Sequence, residues 1–329
     1  MKRRMCFLAL LLCLVLTACG GKEPDSRSRD SLSEESAEIS ETEPLLTVDG
    51  REVPAWRYLC WLEAACCHMQ EQYAAAGMEP DWTAPMEQGT LADYVKNQAL
   101  ADTALYATVE NWAEQYGCVL TAAEKAELKK ESGGILDADL SAEQTAELAG
   151  VGVMYGKLYA LSQTEGSALA PTRRDLEGYR EAAGWLGVNR ILVAAGDDRD
   201  AARNRAAEIF SQLNAAENQA ETFAILAADQ DDPAGNRTFR QGDGTLEETL
   251  EQAALALEEG QCSGILESEE GFSILRREPI EEAVMRESWF DWHLQQAAAN
   301  AVVQTAADYE RLDVPSIAQQ TVEKRNRFQ

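Results

Sequence analysis

Three short boxes constrain this chain most, because each fixes where a helix begins. Thr121-Ala-Ala-Glu124 and Ser141-Ala-Glu-Gln144 pair a capping hydroxyl with a side chain three residues on that can return to the backbone. Thr172-Arg-Arg-Asp175, just after Pro171, starts another helix. Around these boxes the apolar residues recur at helical spacing. One helix is predicted from about Pro54 to Gly77, with Tyr58, Leu62, Ala65 and Met69 as its stripe. A second runs from Leu91 to Tyr116 and stops at Gly117, with Leu105, Val109, Trp112 and Tyr116 on one face. Between them Met78 to Gln88, carrying Pro80 and Pro85, reads as a loop. Ahead of them Leu45 to Pro54 reads as a hairpin around Asp49-Gly50. Residues 45–184 are thus expected to be nearly all helical.

At Gly187 the pattern changes. Val188 to Val193 reads as a buried strand, and helical spacing resumes at Asp198. Up to about Pro279 the order is strand, two helices, an irregular Gly-rich stretch with room for a strand, a helix and two strands. A polar pair, Asn189-Arg190, sits inside the first of these strands. From Glu281 to Leu312 a single long helix is expected, with Phe290, Leu294, Ala297 and Ala301 on one face. The fold class is therefore α+β: a mostly helical domain split around an inserted α/β domain. The ends of an inserted domain usually lie close, so the flanking helices are expected to complete one another.

The remaining segments read as targeting and tether. Lys2-Arg3-Arg4 and the apolar run Cys6 to Leu16 have the layout of a signal peptide over 1–18. That run is shorter than the roughly 20 residues a bilayer span needs. Leu16-Thr17-Ala18-Cys19 resembles a bacterial lipobox, which implies lipid on Cys19 and anchoring to the cell membrane on its outer side. Residues 19–44 are rich in Gly, Ser and Glu and are expected to form a disordered tether reaching about 25–30 Å. Residues 316–329 are expected to be a flexible tail. The formal charge of −28, from 57 acidic and 29 basic residues, argues against nucleic acid as a partner, because phosphate binding needs a basic face.

The middle segment resembles a parvulin-type peptidyl-prolyl isomerase domain. Val188-Asn-Arg-Ile-Leu-Val193 is similar to the family's first strand, and Phe223-Ala-Ile-Leu-Ala227 to its Phe-Ala-x-Leu-Ala helix. Leu250-Glu-Gln-Ala-Ala-Leu-Ala-Leu257, Gly260-Gln-Cys-Ser-Gly264 and Gly271-Phe-Ser-Ile-Leu275 follow in the family order. Val48-Asp-Gly50, the helix ending at Gly117 and the closing helix with Trp292 resemble the PrsA and SurA foldases, whose helical chaperone domain is split around a parvulin module. The resemblance implies an N-terminal helical part over 45–171, a parvulin-like domain over 172–280 and a completing helix over 281–315.

The resemblance also marks the site. Arg190 and Ser273 stand where the family has its two histidines, and Ser268 keeps a hydroxyl where the family has Thr or Ser. Asp232, or its neighbour Asp231, would supply the family's acidic group. Phe239, Leu246 and Leu250 would line the substrate pocket, or else are simply core. Arg190 would serve catalysis or would pair with Asp231, Asp232 or Glu270. The reaction rotates an amide over a barrier of about 18–20 kcal/mol and has no obligatory proton transfer, so loss of both histidines implies weak catalysis or none.

No cofactor is implied. Cys66-Cys67-His68 is adjacent on a helix, where side chains diverge by about 100°, so no metal is expected. A disulfide of Cys118 with Cys60 or Cys67 is permitted outside the membrane. His68 and His293 have no nucleophile partner in sequence and read as structural. Cys262 reads as core. The function implied is an extracytoplasmic foldase for unfolded secreted polypeptides, or a non-catalytic peptide-binding adaptor on the same fold. Client contact would run through Trp56, Trp61, Trp289 and Trp292, and homodimerisation is left open.

Overall fold

The computed structural model describes residues 40–132, 140–228, 236–280 and 282–327. The signal segment 1–18, Cys19, most of the tether, Asp231 and Asp232 lie outside the described residues. The chain divides into two compact units, with boundaries between Ala170 and Pro171 and between Phe290 and Asp291.

In the first unit β1 (Pro44–Val48) and β2 (Arg51–Pro54) form the expected hairpin. Asp49 and Gly50 both take positive φ, at 49° and 82°, as a two-residue hairpin turn of this type demands. Four helices follow: α1 (Ala55–Ala75), α2 (Leu91–Gln115), α3 (Ala122–Ser132) and α4 (Ala142–Ser162). The caps act as read. Ser141 and Gln144 close a reciprocal box on α4, and Thr121 with Glu124 closes one on α3. A further box, Thr90 with Asp93, opens α2. Gly117, at φ 70°, ends α2, and the Cys118 N–H returns to the Ala113 carbonyl at 2.7 Å.

The core of this unit joins α1 to α2. Tyr58, Leu62 and Cys66 are fully buried, and the Trp61 and Tyr106 rings pack with centroids 4.5 Å apart. An ion pair lies inside: Arg57 Nη1 is 3.0 Å from both carboxylate oxygens of Glu110 and 3.5 Å from Glu147 of α4. Along α2 Val109 is buried, whereas Leu105, Trp112 and Tyr116 are half-buried. Val95, Ala99, Tyr106 and Ala113 are buried with Val109.

The second unit begins with α5 (Arg173–Ala182), opened by the Thr172–Asp175 box. Its sheet comprises β3 (Trp185–Ala194), β4 (Asn236–Arg240), β5 (Leu266–Glu267) and β6 (Gly271–Glu278), in spatial order β4-β3-β6-β5 and wholly antiparallel. Three helices cover it: α6 (Arg199–Ala215), α7 (Gln219–Ala228) and α8 (Glu248–Leu255). Strand alternation sorts the side chains into two cores. Ile191, Val193, Phe272 and Ile274 pack with Ile209, Leu213 and Phe223 of α6 and α7. Val188 and Leu275 pack on the other face with Phe239, Leu246 and Leu250. Gly271 (φ 148°) lets β6 start against β3, because a Cβ there would meet the Val193 carbonyl oxygen at 2.2 Å.

Two expectations near the C-terminus need correction. The long helix α9 spans Glu282–Ala299 and does not continue to Leu312. The Asn300 side-chain amide bonds the Gln296 carbonyl at 2.7 Å, and the chain returns as β7 (Val303–Thr305) on the free edge of β1. The expected tail is also structured over its described residues, 316–327. After the short α10 (Ala307–Glu310), α11 (Val314–Arg327) packs on α1. Gln70 bonds the Ala318 carbonyl at 2.9 Å, and Lys324 pairs with Glu63 at 2.9 Å.

Candidate functional site

The site suggested by the sequence lies on the β3–β6 pair. Cross-strand partners share a face, so Arg190 opposite Leu275 and Leu192 opposite Ser273 look the same way, toward the α8 side. β5 extends that face, since Leu266 stands opposite Ser273. Ser268 follows β5, its N–H held by the Gly271 carbonyl at 2.9 Å. Its own carbonyl accepts from Arg199 Nη2 at 2.8 Å.

Two hydroxyls here are buried without service. Ser273 is 0% exposed and Ser268 9%, and neither Oγ has a hydrogen-bond partner among the described residues. Arg190 is buried as well, and its Nη1 donates to Glu270 Oε2 at 3.0 Å. On the sheet's other side Glu267 accepts from Arg199 and Arg203, at 3.0 and 3.1 Å. The Arg199 hydrogen bond, with the charge of both guanidiniums, holds the Glu267 carboxyl below the usual range.

The apolar residues expected to line the pocket are brought together, but as core. Phe239, Leu246 and Leu250 fill the cluster under α8 and leave only 2%, 6% and 1% of their surface exposed. Sequence reasoning overlooked Leu192, which strand parity puts beside Ser273 and which is half-buried. It also overlooked Glu251, whose carboxylate accepts the Gly242 N–H at 3.1 Å and ties the β4–α8 loop to its helix.

The remaining candidates separate from this face. Trp61 and Trp289 are buried, and Trp56 and Trp292 half-buried, so these four side chains do not form an open apolar patch. Their rings are large enough to be drawn into the core. His68 shares a 2.8 Å contact with Gln72, and His293 packs against Trp112. None of Cys60, Cys66, Cys67, Cys118 and Cys262 forms a disulfide. Burial pushes the Cys66 thiol up to about 12, which makes it a packing group and not a nucleophile. Among the described residues no group of three His, Cys, Asp or Glu could hold a metal ion. No described helix is long and apolar enough to cross a membrane. The first unit holds a cavity of about 370 Å³ between α2, α3 and α4, floored by Val119, Leu120, Leu128 and Met154.

A four-stranded antiparallel sheet with two helices on one face and one on the other, with Arg190 and Ser273 on its α8 face, is the module that the family comparison picks out. Residues 188–279 match the rotamase family described as the PPIC-type PPIASE domain. Among solved structures the chain is similar to PrsA from Bacillus subtilis, at 19% identity over 74% of this chain and 92% of that one, with a TM-score of 0.27. PrsA from Bacillus cereus gives the same identity and coverage with a TM-score of 0.28. A SurA-like chaperone of Campylobacter jejuni aligns at 11% identity over 80% of this chain and 99% of that one, with a TM-score of 0.23. No curated protein matches the sequence significantly.

Proposed function

We propose that this protein is a lipid-anchored extracytoplasmic foldase that holds unfolded secreted polypeptides, and that its PPIC-type module binds prolyl segments while catalysing their isomerisation weakly. The observation that carries the reading is the match of segment 188–279 to the PPIC-type family, supported by Arg190 and Ser273 lying on the same face of its sheet. The charged start, apolar run and small residues before Cys19 support the anchor. Weak catalysis follows from the side chains present. A long cation tied to Glu270 and a sealed hydroxyl cannot offer the preorganised polar floor that holds a twisted amide.

The test is cis-to-trans exchange of a prolyl peptide panel by the whole chain, beside the Arg190→His/Ser273→His variant. The native chain is expected to run at least about tenfold slower than the variant, a difference of about 1.4 kcal/mol in barrier. Equal rates for the two would remove the reading of an impaired site. A non-catalytic adaptor is favoured by one observation, the complete burial of Ser273. A native rate at background, with peptide binding intact, would select it.

A further inference from the structure

We propose that the outer edge of β4 receives an extended segment of another polypeptide as an added strand, with an acidic side chain of that segment beside Arg240. The inference goes beyond the prolyl-peptide face, because β4 lies on the far side of β3 from β6, which carries Ser273. It starts from the margins of the sheet. In the order β4-β3-β6-β5 the outer strands are β5, of two residues, and β4, of five. β4 pairs with β3 residue for residue, from Arg240 opposite Trp185 to Asn236 opposite Asn189, with no bulge. In an antiparallel ladder alternate residues turn their backbone groups inward and outward. The Gln241 N–H donates to the Gly184 carbonyl at 2.9 Å, so Phe239 and Arg237, two and four residues back, also spend their backbone groups on β3. Those of Arg240 and Thr238 point away. Arg240 is occupied: its N–H donates to Asp243 Oδ2 at 3.0 Å, and its carbonyl accepts the Asp243 N–H at 3.1 Å. The outward N–H and C=O of Thr238 have no partner among the described residues.

An open edge is a template for another chain, and edges are commonly blunted by proline, charge or a bulge. β4 has no proline and no bulge, and its open position is a threonine, which suits a strand. The guard that β4 does carry is cationic, Arg237 and Arg240, and such a guard admits acids. Thr238 and Arg240 share a face by strand alternation. The Arg240 guanidinium lies 5.8 Å from the Trp185 ring and forms no ion pair among the described residues. The nearby Asp243 has both oxygens committed to backbone, Oδ2 to Arg240 and Oδ1 to the Thr245 N–H at 2.9 Å. A cross-strand side chain of opposite charge is the neighbour that an exposed cation in a sheet favours. The formal charge of −28 repels a strongly acidic chain at long range. The segment is therefore a mostly neutral, β-prone one with a single Glu or Asp. Backbone bonds to Thr238 supply the attachment, and the acid fixes the register.

Hydrogen exchange on the whole chain tests this, with a short labelled peptide of Thr and Val around one Glu. Its controls are the Gln twin and a Glu version N-methylated at two successive central nitrogens. The Thr238 amide is expected to exchange fast in the free chain and to slow about tenfold or more at saturating Glu peptide, while the Phe239 amide stays protected throughout. By fluorescence anisotropy the Gln twin should bind about two- to fivefold more weakly, a gap that Arg240→Gln closes. The N-methylated peptide should not bind. Thr238→Pro removes only an outward N–H, which an edge strand tolerates, and should weaken the Glu peptide about tenfold. The peptide controls keep the test sound if that variant misfolds. Three results overturn the inference. Thr238 protected in the free chain at every concentration would mean that the chain covers its own edge. Protection that grows with chain concentration alone would make the occupant a second copy. Saturating peptide without slowing at Thr238 would mean that the edge takes no strand. Each of these spares the prolyl-peptide reading, which is judged by isomerisation on the β3–β6 face.

Discussion

Asp102 on α2 is half-buried, and its carboxylate has no hydrogen bond or ion pair among the described residues. Burial pushes its pKa up to about 6. Burial also raises Glu147, helped by the nearby Glu110 charge and opposed by Arg57. A carboxyl whose folded value lies above its unfolded one contributes stability at low pH, and loses that contribution as the pH rises through the folded value. The first unit should therefore gain stability from Asp102 as pH falls from 7 toward 4.5. Other carboxyls act oppositely and lower down. Glu124 is held at about 2, first by its hydrogen bond from Lys157, and Asp93 is lowered by its bonds from Thr90. Their contributions fade only below about pH 4, as the caps protonate. Asp102→Asn should raise stability at pH 7 by about 1–2 kcal/mol once screening at its exposed edge is allowed for. Thermal melts from pH 4.5 to 7.5 would show it: the variant's curve should be flatter, and a parallel shift would rule out burial of the carboxylate as the cause.

At the scale of the element, α4 carries Gly150, Gly152 and Gly156 within 21 residues. Each glycine in a helix interior costs about 0.5–1 kcal/mol relative to alanine. Only Gly150 has a packing reason, since a Cβ there would meet Leu120 Cδ1 at 2.7 Å. The other two face open space. Gly152→Ala/Gly156→Ala should stabilise the first unit by about 1–2 kcal/mol, and Gly150→Ala should show no such gain. Chemical denaturation of the three chains would decide; an equal gain at Gly150 would mean that Leu120 moves aside freely.

Elements were legible where their cause is local. Asp49-Gly50 announced its hairpin, and the boxes at Thr121, Ser141 and Thr172 announced their helices, because turn and cap chemistry act within a few residues. The strand at β3 and the helix at Phe223 were equally plain. What failed was non-local. Leu294, Ala297 and Ala301 continue a helical period, yet the chain leaves the helix after Ala299 because β1 offers an unpaired edge some 250 residues back in sequence. For the candidate site, the family resemblance supplied Arg190, Ser268 and Ser273, and the Glu270 pairing was among the partners weighed. The full burial of Ser273 was not readable, because it depends on the β3–β6 register and not on spacing.

For the whole molecule, the units differ in how they are assembled from the chain. The second is continuous from Pro171 to Phe290, whereas the first takes its last strand and its last helix from beyond Asp291. Val314 and Ala318 are buried at 2% and 1%, and Tyr309 packs edge-on against Tyr58 with centroids 5.2 Å apart. A chain ending at Asn300 should lose about 5 kcal/mol or more from the first unit, summed over these side chains and Leu312. The transition of the second unit should stay in place. Calorimetry with hydrogen exchange on β1 amides would separate the two, and an unchanged first transition would show that the C-terminal elements are ornamental.

The placement of β7 also sets an order of events during synthesis. β1 leaves the ribosome early, and the strand that completes it follows about 250 residues later, on the order of ten seconds to a minute at usual elongation speeds. The inserted unit has all its strands in hand well before that. Closing so long a loop costs little more than closing a shorter one, since each doubling of length adds only about 0.6 kcal/mol, and an insert that has already collapsed shortens the loop further. The delay is therefore one of time and not of equilibrium. Through most of its own translation the nascent chain carries a bare strand edge near its start, and the first part made is the last part finished.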